Sequence, residues 1–350
     1  LDQVIDYIKN LHFAKEDVDY LRSLQIFDED FLNYLENFHF TGDIYAIPEG
    51  TVVFPREPLI KVIAPIMEAQ LVETAILTII NHQSLIATKA ARVVNAARGD
   101  GIMEFGLRRA QGPDAGTYGA RAAMIGGCIG TSNVLTGKMF DVPVLGTHAH
   151  SWIMSFPDEY TAFRTYAELY PDACTLLVDT YDTLKSGVPN AIRVFQEMKE
   201  AGKLKGRYGI RLDSGDLAYM SKEARKMLDA AGFEDAVIAA SSDLDEYLID
   251  SLKSQGAKIT SWGVGTNLIT SKDCPAFGGV YKLAAVKTGE GEFVPKIKLS
   301  ENTEKITNPG NKTVYRIYEK ENGKLKADLI CLVDDQLDES KDLTIFDPLE

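Results

Sequence analysis

The chain has 350 residues, 45% of them hydrophobic and 25% charged, with 37 basic against 51 acidic side chains and a net charge of −14. That length suggests about two domains, and an acidic surplus with no basic stripe to offset it excludes nucleic acid and anionic membranes as expected partners. No apolar run reaches the ~18 residues of a membrane span, and the four cysteines (Cys128, Cys174, Cys274, Cys331) lie far apart with no CxxC pair, so the reading is a cytoplasmic protein with reduced thiols.

Residues 1–40 carry Leu, Ile and Phe at helical spacing and predict amphipathic helix. Residues 42–65, "GDIYAIPEGTVVFPREPLIKVIAP", are rich in β-branched residues broken by Pro and Gly, and predict two or three short strands. Residues 68–98 return to a long helix with a wide apolar face. From about 102 to 283 short apolar runs ("IMEFGL", "VPVLGT", "CTLLVD", "RYGIRLD", "AVIAAS", "KITSWGVG") alternate with helical stretches. That alternation calls for parallel strands joined by right-handed crossovers. Beyond 283 the charge-rich, Gly- and Asn-punctuated sequence reads as antiparallel and peripheral. The chain opens at Leu1 without an initiator methionine and is expected to be a fragment.

The polar clusters fall at the C-terminal ends of the predicted parallel strands. Arg108 and Arg109 follow "MEFGL", His148 and His150 follow "VPVLG", and Asp179 follows "CTLLV". Asp213, Ser214 and Asp216 follow "RYGIRL", Ser241, Ser242 and Asp243 follow "AVIAA", and Gly263, Gly265 and Thr266 close "KITSWGVGT". In a closed α/β barrel such ends converge on one mouth, whereas an open sheet concentrates chemistry near one switch point. Six or seven polar strand ends favour the barrel.

Each cluster also has a plainer reading. An Asp after a strand is often the N-cap of the next helix, although three polar residues around a Gly in "DSGDL" exceed what a cap needs. "GVGT" suits a tight turn as well as a backbone N–H cradle for phosphate. Neither a Walker A loop nor GxGxxG occurs. The pair His148 and His150 shows no third and fourth ligand at zinc spacing. His12, His39 and His82 read as structural, and Trp152 and Trp262 as core.

At this point the residues carry a resemblance. The run "EFGLRRAQGPDAGTYGARAAMIGGCIGTSNVLTGKMFDVPVLGTHAHSW", with "LLVDTYDTLKSGVPNAI", "IRLDSGDL", "SSDLDEY", "GVGTNLITS" and "GGVYKLAA", resembles nicotinate phosphoribosyltransferases over residues 1 to about 335. The resemblance implies the irregular, TIM-like α/β barrel of type II phosphoribosyltransferases, here residues 70–280. It also implies a flanking α+β domain from both chain ends, residues 1–69 and 281–350. The implied reaction joins nicotinate to 5-phosphoribosyl-1-pyrophosphate, giving nicotinate mononucleotide and pyrophosphate, and couples this to ATP hydrolysis through a phosphorylated histidine. It is the first step of NAD synthesis from nicotinate.

By that resemblance His150 of "AHS" is the phosphoryl acceptor, and a neutral imidazole nitrogen is a competent nucleophile near neutral pH. Asp179 and Asp213 match positions near ribose and Mg²⁺, which prefers carboxylate oxygens. Arg108, Arg109 and Lys282 are candidates for pyrophosphate or phosphate contact. Gly263, Gly265, Thr266 and Ser242 would hold the 5′-phosphate, Phe105 would lie against the pyridine ring, and Arg211 would face the nicotinate carboxylate. Ser132 falls where nicotinamide-using relatives carry an aspartate; its bland alternative is a cap for the helix beginning near Asn133. Expected cofactors are Mg²⁺ and ATP as co-substrate, and the expected assembly is a homodimer with shared sites. The alternatives are a nicotinamide-specific enzyme, or a silent ligand-binding member of the same fold. Quinolinate phosphoribosyltransferase fits less well, for want of the AHS segment.

Overall fold

The computed structural model of the chain describes residues 1–299, 301, 306–335, 337, 338, 340–342 and 344. Two compact units emerge: Leu1–Leu77 with Gly279–Glu350, and Thr78–Gly278. In the first unit the expected N-terminal helical stretch is broken into α1 (Asp2–Asn10), α2 (Lys15–Ser23) and α3 (Glu29–Glu36). Asp28 caps α3 by accepting from Phe31 N at 2.8 Å. Val18, Leu32 and Leu35 form a small core, flanked by Phe13 and Tyr34. Only two strands follow, β1 (Asp43–Ala46) and β2 (Ile60–Ile63), paired antiparallel. The segment between them holds Pro48, Pro55 and Pro58, which cannot donate to a ladder, so no third strand forms. Next come α4 (Ile66–Leu71) and α5 (Glu73–Ala96). Ile86, Ala90 and Val93 recur at helical spacing on one buried face of α5.

The second unit is an α/β barrel-like body. Its parallel strands are β3 (Gly101–Glu104), β4 (Gly130–Thr131), β5 (Ala173–Leu177), β6 (Arg207–Leu212), β7 (Val237–Ala240) and β8 (Ser261–Val264). They form one six-stranded sheet in the order β4-β3-β8-β7-β6-β5, curled as a half-barrel. The connecting helices are α6 (Pro113–Ile125), α7 (Val134–Phe140), α8 (His150–Met154), α9 (Glu159–Leu169), α10 (Val188–Glu200), α11 (Leu217–Ala230), α12 (Glu246–Ser254) and α13 (Thr266–Ile269). Ile102, Leu176, Ile210, Ile238 and Trp262 share one buried cluster with Phe163 of α9, Phe195 of α10 and Phe233 just after α11. Burial of each such side chain contributes about 1.5–3 kcal/mol.

The run "VPVLGT" makes no full strand. Pro143 lacks an N–H, and pairing reduces to a parallel bridge between Val144 and Thr131, with Thr131 N donating to Pro143 O and Leu145 N to Thr131 O. Past that bridge the chain reaches the free edge of β5, where Leu177 N donates to the His148 imidazole, Nε2, at 3.3 Å. A side chain thus bridges the seam at which the sheet ladder is interrupted.

The C-terminal part of the first unit is antiparallel, as read from the sequence. β9 (Ala285–Val286) pairs with β10 (Val294–Pro295), and β11 (Lys312–Tyr318) with β12 (Leu325–Leu332). Arg316 and Asp328 form a two-point ion pair across the latter hairpin. No described helix is long and apolar enough to cross a membrane.

Candidate active site

The strand ends of the second unit bring His150, Asp179 and Asp213 into one hydrogen-bonded chain. His150 is the first residue of α8, and its Nε2 lies 3.1 Å from Asp179 Oδ1. The other Asp179 oxygen accepts from Asp213 N at 2.8 Å and Ser214 Oγ at 2.6 Å. Since the carboxylate accepts throughout, Nε2 carries the proton and the Nδ1 lone pair of His150 remains available. Asp179 is 2% exposed while His150 is 39% exposed, so a buried acceptor orients a reachable ring. Neither Asp179 nor Asp213 is a helix cap: those places belong to Asp182, accepting from Lys185 N, and to Asp216, accepting from Tyr219 N.

A second layer holds Arg211. Its Nε donates to Ser241 Oγ at 2.8 Å, Nη1 to Thr147 Oγ1 at 2.5 Å, and Nη2 to Asp213 Oδ1 at 3.1 Å. Ser241 Oγ in turn donates to Asp213 Oδ1. The guanidinium is therefore locked at the ends of β6 and β7 and beside the His148 loop. Of its five N–H groups, Nη2 keeps one that meets no described acceptor. His148 itself is buried, with its ring edge-on to Tyr166 at 4.5 Å. Burial, and the nearby Arg211 charge, push its pKa down to about 4, so it stays neutral. The two histidines of one motif thus have different surroundings, one sealed in the seam and one at the surface.

Phe105 follows β3, and its ring packs against Gly263 of β8. A Cβ on Gly263 would stand 2.5 Å from Phe105 Cδ2, so only glycine lets the ring rest on that backbone. Gly265 passes the Phe105 carbonyl less closely, a Cβ there standing 3.2 Å from it, and Thr266 opens the short α13. At the end of β7, Ser242 has φ +111°, a strained conformation of the kind that gathers at functional sites. Arg108 and Arg109 are exposed in the turn after Phe105. Ser132 is exposed too, and the cap of α7 is not Ser132 but Asn133, whose side chain accepts from Leu135 N and Thr136 N. Lys282 belongs to the first unit and is exposed.

For magnesium, no cage of three acidic, His or Cys ligands occurs among the described residues. Asp179 spends both oxygens on protein donors, whereas no described residue donates to Asp213 Oδ2. That donor set suits an ion arriving on a phosphate group, because Mg²⁺ is commonly held by one or two carboxylates plus substrate oxygens. Thr147 and Glu104 went unnoticed in the sequence. Thr147 was simply part of "VPVLGT", and Glu104 occupies an ordinary strand position in "IMEFGL".

Comparison with known proteins gives the family of the chain. The nicotinate phosphoribosyltransferase (NAPRTase) family model matches residues 101–305, with the NAPRTase N-terminal and C-terminal domains matching 1–81 and 311–350. The chain belongs to the nicotinate phosphoribosyltransferase family. It is 53% identical over 349 residues to the nicotinate phosphoribosyltransferase of Bacillus subtilis, covering 100% of this chain and 70% of that protein. A Mycobacterium tuberculosis nicotinate phosphoribosyltransferase is 46% identical over 316 residues, 90% of this chain and 66% of its own length. The crystal structure of human nicotinic acid phosphoribosyltransferase superposes with a TM-score of 0.81 at 31% identity, over 96% of this chain and 74% of the human one. The family membership fits the barrel-like sheet, and the antiparallel hairpins of the other unit fit its flanking domains.

Proposed function

We propose that this chain joins nicotinate to 5-phosphoribosyl-1-pyrophosphate in the NAD-forming route from nicotinate, with His150 coupling the reaction to ATP. The observation that carries the reading is the Asp179–His150 pair at the barrel mouth, with Asp213 and Arg211 tied to it. Asp179 Oδ1 holds the Nε2 proton, so Nδ1 attacks the γ-phosphorus of ATP. The N–P bond forms as the bond to the bridging oxygen breaks, and ADP leaves. Water later cleaves the N–P bond, releasing phosphate and restoring the imidazole.

In the transfer step the nicotinate ring nitrogen attacks the ribose C1 as the C1–oxygen bond breaks and pyrophosphate departs. Magnesium, when bound, offsets the charge of that leaving group. Asp213 Oδ2, which accepts from no described residue, would help to hold it, and Arg108 and Arg109 are exposed cations able to meet phosphates. Phe105 offers the pyridine ring an aromatic face, and the spare Nη2 hydrogen of Arg211 suits a carboxylate. The pairing of Arg211 with a carboxylate favours nicotinate over nicotinamide.

Val134, Leu135, Met139, Val144 and Met154 are exposed apolar residues on and between α7 and α8. Such a patch supports the proposed homodimer. The four cysteines are free thiols, which supports a cytoplasmic setting. The test is product analysis with nicotinate, phosphoribosyl pyrophosphate, ATP and magnesium. Nicotinate mononucleotide and ADP forming together support the function, and base binding without turnover would assign a silent ligand-binding role instead.

A further inference from the structure

Glu104 is a carboxylate with no exposed surface, at the last position of β3. No ion pair with a described cation compensates its burial, although an isolated buried charge is costly. Its contacts reach two separate loops. One oxygen, Oε1, accepts from Gly106 N, and the other, Oε2, accepts from Thr131 Oγ1 at 2.6 Å. The Glu104 carbonyl accepts from Ser132 N at 3.0 Å. Thr131 Oγ1 also accepts from Asn133 N at 3.0 Å, so the tie continues to the cap of α7. Gly106 leaves little freedom for any other arrangement, because a Cβ there would stand 2.8 Å from Glu104 Oε1 and would also strike Ile269.

These two loops carry different parts of the proposed base site. Residues 105–109 bring Phe105, followed by the phosphate candidates Arg108 and Arg109, while 131–133 bring Ser132. They follow neighbouring strands but share no pairing beyond the strand ends themselves, where Met103 faces Gly130 and Glu104 faces Thr131. We infer that Glu104 is a positioning residue, a buried tie that fixes the Phe105–Arg109 turn against the Ser132 loop and so sets the width of the nicotinate pocket. This rests on the functional reading above. A neutral residue of the same shape can serve the purpose: glutamine accepts from Gly106 N with its oxygen and donates to Thr131 Oγ1 with its amide. Burial raises the Glu104 pKa, opposed by the hydrogen bonds from Thr131 and Gly106.

The experiment compares Glu104→Gln with Glu104→Met, which fills the space and makes neither hydrogen bond. Expected for Glu104→Met is a nicotinate KM raised at least tenfold, with phosphoryl labelling of His150 by ATP near wild type, because that histidine is oriented by Asp179. Glu104→Gln should restore KM to within about threefold of wild type. A wild-type KM in Glu104→Met overturns the tie, as does an equal loss of labelling and nicotinate use, which indicates general misfolding. Amide hydrogen exchange gives an independent readout that needs no activity. The Gly106 and Ser132 amides should exchange faster in Glu104→Met while that of Asp213 is unchanged, and unaltered exchange at both overturns the tie. A wild-type protein inactive on nicotinate would refute the functional reading alone, leaving the exchange result to decide the tie.

Discussion

The imidazole of His148 accepts a hydrogen bond from the backbone N–H of Leu177, standing where a neighbouring strand would place a carbonyl. This bond forms only with a neutral ring, because a protonated imidazole has no acceptor. Burial and Arg211 hold the pKa near 4, against ~6.5 in an unfolded chain. The folded value is depressed, so the contribution to stability is complete above about pH 6.5 and is lost as pH falls towards 4. Its size is on the order of 3 kcal/mol. His148→Gln keeps an acceptor and removes the titration, so its denaturant midpoint should fall less steeply between pH 6.5 and 4.5. Parallel acid limbs in the two proteins would refute the role given to His148.

Asp213 is tied to Arg211 and Ser241 and keeps one oxygen clear. Asp213→Asn should lower kcat/KM at least 100-fold, about 2.7 kcal/mol of transition-state stabilisation, with a small change in melting temperature. A lost helix cap would instead cost about 0.5–2 kcal/mol of stability and spare turnover. Steady-state kinetics beside thermal unfolding separates these outcomes, and near-normal kcat/KM would remove Asp213 from the chemistry.

The seating of Phe105 on Gly263 makes that glycine sensitive. Gly263→Ala forces the ring away, an overpacking cost of about 1–3 kcal/mol, and should raise the nicotinate KM at least tenfold. Phe105→Leu in the same chain should recover part of the stability but not the KM. Strictly additive effects in the double-mutant cycle would show that the two residues do not touch.

Ser132 does not cap α7, which removes the plain structural explanation for a serine at that position. A carboxylate there would repel nicotinate. Ser132→Asp should reduce nicotinate use at least tenfold, about 1.4 kcal/mol, measured as kcat/KM with each base in turn. An unchanged preference for nicotinate would place Ser132 away from the base.

Much of this site was legible because polar residues stand out against apolar strand runs. The ends of β5, β6 and β7 were found that way, with Asp179, Asp213 and Ser242, as were the glycines at the end of β8 and His150 beyond "VPVLGT". β4 was missed because two residues, Gly130 and Thr131, are too short to show a period of two. "VPVLGT" looked like a strand by composition, yet Pro143 withholds a donor. Glu104 carried no signal, since burial of a carboxylate depends on which loops fold over it. The partition of roles between His148 and His150 was equally invisible from composition. It follows from a seam between strand edges distant in sequence, where one ring is sealed and the other is not.

His150, oriented by Asp179, is proposed as the group that takes the phosphoryl from ATP. Incubation with γ-labelled ATP and magnesium, followed by peptide mapping, tests it most directly. The expected label is acid-labile and base-stable, lies on the peptide containing His150, falls severalfold in Asp179→Asn, and is discharged by nicotinate with phosphoribosyl pyrophosphate. Full labelling of His150→Ala, or a label on the His148 ring, would contradict it.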